Sequence, residues 1–461
     1  MTRRRRLAVA AAGAALGAGM APEAAQAHGI VQRTNLPIPE VVFAWAAATV
    51  LVVSFVGLAV LWPSQRLQDP PWRPLPGGRI LGSSAVEVLC AAIGGGLFAV
   101  VIYAGYAGGG SALDNLAPTF ILIDFWVGLV FASVLFGDVF RAFSPWRAIQ
   151  LPGFRHYPER WGRYPAALAL LVFTWIELVS GWGDDPVALT NAAVGYAVYT
   201  LAMQAVFGTE TWTARGEAFA VYFNLFSRIS IWETRDRDVG VRPPLGGLPR
   251  VDAVRGTVMF VVVMIGTVTF DGFSQGQLYS DVSVDLSDAL DGIVGLDAAP
   301  KVVGTLGLLL GVAVVGAFYR LGIEGAHSVG GGIPAAELRR ACIHTLVPIA
   351  MAYVAAHYLT FLLFEGQATL YLASDPLGKG WDLFGTADRA IDYTYLSQNA
   401  TWYLQVAFVV VGHVAALILA HDRALVLYPD AKLAVRSQCW MLAVMVGFTS
   451  LALWLLAQAT A

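Results

Sequence analysis

"TARGEAFAVYFNLFSRIS" (residues 213–230) is apolar enough to be taken for a membrane crossing, and the topology of the whole chain turns on whether it is one. Phe219, Tyr222, Phe223 and Phe226 recur at helical spacing, while Glu217, Asn224 and Arg228 occupy another face. That segregation predicts an amphipathic helix lying along the cytoplasmic interface, or a short helix buried against a bundle. Neither crosses the bilayer.

Outward from this stretch, the 461-residue chain is 57% apolar and 13% charged, about half the charged share of an ordinary soluble protein. This composition predicts an all-α, polytopic transmembrane bundle. Ten apolar segments are long enough to span, at about 41–62, 84–108, 117–137, 165–181, 187–208, 254–272, 301–320, 341–364, 399–421 and 439–458. Residues 1–27 read as a signal peptide: Arg3 to Arg6 are the positive start, Leu7 to Ala21 an apolar core, and Ala25-Gln26-Ala27 a cleavage site. The remainder, 28–461, forms one integral-membrane domain.

With residue 28 outside, ten crossings place both termini of the mature chain outside and Arg66, Arg73, Arg79, Arg141, Arg147 and Arg160 in cytoplasmic loops. Asp114, Asp184, Asp185, Asp281, Asp375 and Asp382 fall in external loops, so the distribution obeys the positive-inside rule for a multi-pass protein of the cytoplasmic membrane. An eleventh crossing at 213–230 would break the alternation. The net charge of −3 and the dispersed basic residues speak against a nucleic-acid partner. The lipid bilayer is the expected partner, with an apolar small molecule or a cation as the ligand.

Glycine-rich runs "AGGGS" (107–111) and "VGGGIP" (329–334) lack the lysine of a phosphate-binding loop, and no metalloprotease or nucleophile-elbow motif occurs. Ionisable groups inside the apolar segments are more informative, because charge in lipid is costly and usually faces a partner or cavity. An outer layer holds Asp124, Glu177, Asp271, His357 and Glu365. "FDGFSQGQ" and "FEGQ" are alike, which predicts that Asp271, His357 and Glu365 line one pocket, joined by Asp124. Glu177, Asp271 and Glu365 could instead be water-exposed caps.

An inner layer holds His344, His413 and His421, a ladder for protons or metal ions, or else three histidines that each bond a neighbouring helix. With the peptide removed, His28 would offer an α-amino and an imidazole nitrogen, a chelate suited to copper. A metal site of His28, His357 and Asp271, holding copper or zinc, then requires residue 28 to dip into the outer pocket.

The segments "HGIVQRTNLPIP" (28–39), "NLAPTFILIDFWVGLV" (115–130), "FGDVFRAFSPWRA" (136–148), "VRPPLGGLP" (241–249), "TFDGFSQG" (269–276), "HYLTFLLFEGQA" (357–368), "SDPLG" (374–378) and "VGHVAALILAHDRAL" (411–425) resemble those of a bacterial, largely actinobacterial, family of polytopic membrane proteins. Its members commonly carry the label fenitrothion hydrolase. The resemblance covers nearly all of the mature chain and implies hydrolysis of an apolar organophosphate triester. Asp124, Asp271, His357 and Glu365 are the residues here that could hold a metal and activate water for it. The alternative is a proton- or metal-ion-coupled transporter that uses the two layers as a path.

Overall fold

The computed structural model describes residues 40–428 and 430–458. The 1–27 segment and His28 lie outside the described residues. All ten apolar segments are helical: α1 (Glu40–Leu61), α2 (Ser84–Ala107), α3 (Leu116–Phe136), α4 (Tyr164–Leu178), α5 (Pro186–Phe207), then α6 (Thr209–Arg215) and α7 (Ala218–Ser227) before α8 (Thr257–Ser274). There follow α9 (Gln277–Val294), α10 (Ala299–Ser328), α11 (Ala335–Cys342), α12 (Val347–His357), α13 (Leu359–Leu363), α14 (Ala368–Ser374), α15 (Gln398–Leu427) and α16 (Ala431–Gln458). Among the described residues, seven helices are long and apolar enough to cross a membrane, and eight if the bent run from α11 to α14 counts as one. The segment at 165–181 is a 15-residue helix, short of a full span.

α8 is the axis of the bundle. Its sequence is apolar around the whole circumference, which marks a helix enclosed by others, and it packs against α4, α10, α12 and α16. Gly266 allows α10 to approach: a β-carbon there would lie 2.5 Å from the Val312 backbone. Gly412 does the same for α12 and α15, since a β-carbon would meet Ala352 at 2.3 Å. Outer helix faces expose Val53, Leu168, Val198, Leu310 and Val411, as contact with lipid requires.

Three departures from expectation matter. First, 213–230 is not one interfacial helix; the other reading, a short helix buried against the bundle, holds for its second half. The stretch breaks at Gly216, and α7 is enclosed, with Phe219, Tyr222, Phe223 and Phe226 all buried. Glu217 caps it, accepting from the backbone N–H groups of Phe219 and Ala220 and from the Tyr196 hydroxyl.

Second, the chain is not wholly helical. β1 (Arg73–Pro74), β2 (Trp232–Arg235) and β3 (Asp238–Val241) form an antiparallel sheet in the order β1-β3-β2. Asp236 and Arg237 both take positive φ, 48° and 62°, as a tight hairpin turn demands. Glu233 ties the sheet to its surroundings through Arg250 at 2.9 Å, Arg235 at 3.2 Å and Arg242 at 3.3 Å.

Third, the expected external loop after α8 contains the amphipathic helix α9, none of whose residues is buried.

Candidate functional site

Asp271, in the last turn of α8, is completely buried. Its Oδ2 lies 2.8 Å from Nε2 of His357 and accepts the Tyr358 hydroxyl at 2.7 Å. Consecutive side chains on a regular helix diverge by about 100°, so two neighbours rarely reach one oxygen. They do here because the chain bends by 57° between α12 and α13, at Tyr358. No proline or glycine marks that bend in "VAAHYLTFLL".

Glu177, on α4, is the second carboxylate of this cluster. Both its oxygens are buried without a geometrically sound hydrogen bond, although the Trp126 indole stands beside them. It lies within electrostatic range of Asp271, Tyr358 and Tyr222. Tyr222 in turn stacks on Trp126, with centroids 4.6 Å apart. Two carboxylates within electrostatic range of each other repel when both are ionised.

The expected outer pocket therefore divides. Asp271 and His357 are joined, as expected. Asp124 is elsewhere, bonded to the Thr369 hydroxyl at 2.7 Å. Glu365 is half-buried and accepts from Tyr393 at 3.0 Å. The bend at Tyr358 is the physical reason, because it swings the chain that carries Glu365 away from the direction of α12. Tyr358 and the partnership of Glu177 with Asp271 were missed by sequence reasoning. An ionisable residue in "TWIELVSGW" was the available signal for the second.

The described residues, which do not include His28, supply no donor set for copper or zinc by themselves. Among the described residues, no three His, Cys, Asp or Glu side chains stand close enough to hold a metal ion. His357 and Asp271 are bonded to each other.

The inner layer also divides. His421 has both ring nitrogens engaged, by Gln438 Oε1 at 3.1 Å and the Trp62 carbonyl at 3.0 Å. Its neighbour Asp422 accepts from Trp62 Nε1 and Gln68 Nε2 and from the backbone N–H groups of Arg66 and Leu67. These two residues fasten the 62–68 segment to α15.

His413 and His344 are different. His413 Nδ1 bonds the Val409 carbonyl at 2.7 Å, but among the described residues its buried Nε2 has no hydrogen-bond partner, nor has Nε2 of His344. The Tyr353 hydroxyl is a third such group. Tyr353 stacks on Phe448 at 5.6 Å, and the His413 ring lies 6.5 Å from the same phenyl. Between Tyr353 and His357 is a cavity of about 30 Å³, also lined by Thr269, Gly272 and Val409. That volume suffices for one water molecule.

Buried polar atoms without partners are rare and call for a bound water or a function. Tyr353 lies on α12, His413 on α15 and His344 in the 343–346 turn that precedes α12. Compared with protein-family models, curated proteins and solved structures, the chain matches none.

Proposed function

We propose that this chain is a proton-coupled transporter of the cytoplasmic membrane, multi-pass, with both ends outside. The Asp271–His357–Tyr358–Glu177 cluster takes up the proton. Tyr353, His413 and His344, with water in the small cavity, pass it toward the cytoplasmic loops.

One observation carries this reading: the His357 ring, bonded with Tyr358 to one oxygen of Asp271, shares a small cavity with Tyr353, whose hydroxyl has no hydrogen-bond partner among the described residues and whose ring, like that of His413, lies against Phe448. A metal-ion cargo is disfavoured by the lack of a three-donor cluster among the described residues. Hydrolysis of an apolar phosphotriester, which the family resemblance implies, would use the same Asp271–His357 pair as its base. Against hydrolysis at that pair, the cavity beside the imidazole is about 30 Å³, whereas pockets for small organic ligands run to about 300–1,000 Å³.

The test is proteoliposomes under an imposed pH gradient with an internal pH dye. Native protein should carry protons, and Asp271→Asn and His413→Ala should abolish the flux while inserting normally. No flux from native protein, together with turnover of fenitrothion that Asp271→Asn abolishes, would replace transport with hydrolysis.

A further inference from the structure

A cleft of about 1110 Å³ lies between α4 and α5, successive helices that scarcely touch. Along α5 it extends from Leu189 to Met203, about 21 Å of helix. That exceeds one leaflet of a hydrocarbon core about 30 Å thick. Phe219 of α7 closes the back, its ring 4.8 Å from Phe125 and 5.1 Å from both Phe173 and Tyr196. The enclosed α7 is thus the floor of the cleft.

Among the described residues, Asp124 is the one acidic residue of this lining. Thr369 occupies its Oδ2, and no hydrogen bond within the described residues engages Oδ1. Asp124 also stands at the middle of a nine-residue π-helical run, Phe120–Gly128, within α3. π-helical turns account for well under 1% of residues and concentrate at functional sites, where the widened backbone re-aims a side chain.

A carboxyl group facing apolar space stays ionised only beside a cation. Aromatic faces attract one as well. A neutral hydrocarbon tail would leave Asp124 unpaired, and an anionic headgroup would be repelled there; Arg160, the one basic residue of the lining among the described residues, is exposed and forms no ion pair with Asp124. We propose that the cleft binds a lipophilic primary amine from the bilayer, its ammonium on Asp124 and its hydrocarbon chain along the aromatic wall.

Asp124 makes no bond to Asp271 or His357, so this site stands apart from the proton path. A three-donor ammonium can bond Oδ1 and leave the Thr369 bond intact. No covalent step is involved.

The experiment is equilibrium binding of radiolabelled dodecylamine, with dodecanol as its uncharged counterpart, to the purified protein in lipid nanodiscs against empty discs. The amine should bind saturably and at least tenfold more tightly than the alcohol. Asp124→Asn should weaken amine binding at least tenfold, down to the level of the alcohol. Ala193→Trp, which adds bulk to the cleft from α5 and keeps the carboxylate, should remove both, and it decides the matter should the first variant fail to fold. Equal binding of amine and alcohol to native protein, no saturable amine binding, or amine binding unchanged by either substitution would overturn the proposal.

Discussion

Replacing His413 with leucine separates a histidine kept for proton transfer from one kept for packing. The side chain is fully buried, with Nδ1 on the Val409 carbonyl and Nε2 without a protein partner among the described residues. An unsatisfied buried nitrogen costs about 1–3 kcal/mol, and the bond lost at Nδ1 is worth about 0.5–1.5 kcal/mol. Leucine removes both and is of similar bulk, so the variant should be up to about 2 kcal/mol more stable than the native chain. For a chain of this length, that is a rise of about 1–2 °C in Tm, near 1 °C per kcal/mol. Thermal unfolding in detergent reads the stability, and proton flux in proteoliposomes should fall to background. A Tm lower by several degrees with flux retained would refute the reasoning, because His413 would then be a packing residue.

Two further outcomes are expected. His421→Ala strips partners from Gln438 and the Trp62 carbonyl, so it should cost about 2 kcal/mol or more yet leave flux per folded molecule unchanged; a selective loss of flux would restore His421 to the path. At Glu233, burial raises the carboxyl pKa, but hydrogen bonds from Arg235 and Arg250 and the charge of Arg242 outweigh it and hold the group below its ordinary value. A depressed folded pKa gives stability that is present above the unfolded pKa and lost as pH falls through the folded one. Glu233→Gln should therefore be less stable by about 2 kcal/mol at pH 7, less than the roughly 3–5 kcal/mol of a fully buried pair because Arg235 and Arg250 are partly exposed. In unfolding curves from pH 7 to pH 3, the gap between the two proteins should close on acidification, and a pH-independent gap would count against the ion cluster.

The amino-acid sequence by itself determined where the helices lie. An apolar run satisfies its own backbone hydrogen bonds, and its length is a property of the chain taken one residue after another. It also brought Asp271 and His357 into one layer, because depth along a helix follows from residue count. Only the tertiary structure decided which groups within a layer meet.

α8 is apolar on every side, so periodicity could not tell which face turns toward His357. The 57° bend that brings Tyr358 onto Asp271 and carries Glu365 away has no proline or glycine to announce it. Glu177 joined Asp271 rather than serving as a cap, while Asp124, at the same expected level, was carried on a π-helical turn to the opposite, aromatic cleft. The fate of 213–230 was settled the same way: an aromatic face serves an interface or a core equally well, and the neighbouring rings of Phe125, Trp126 and Phe173 made it a core. Convergence of side chains depends on helix rotation and bending, which are set by packing between segments distant in the chain.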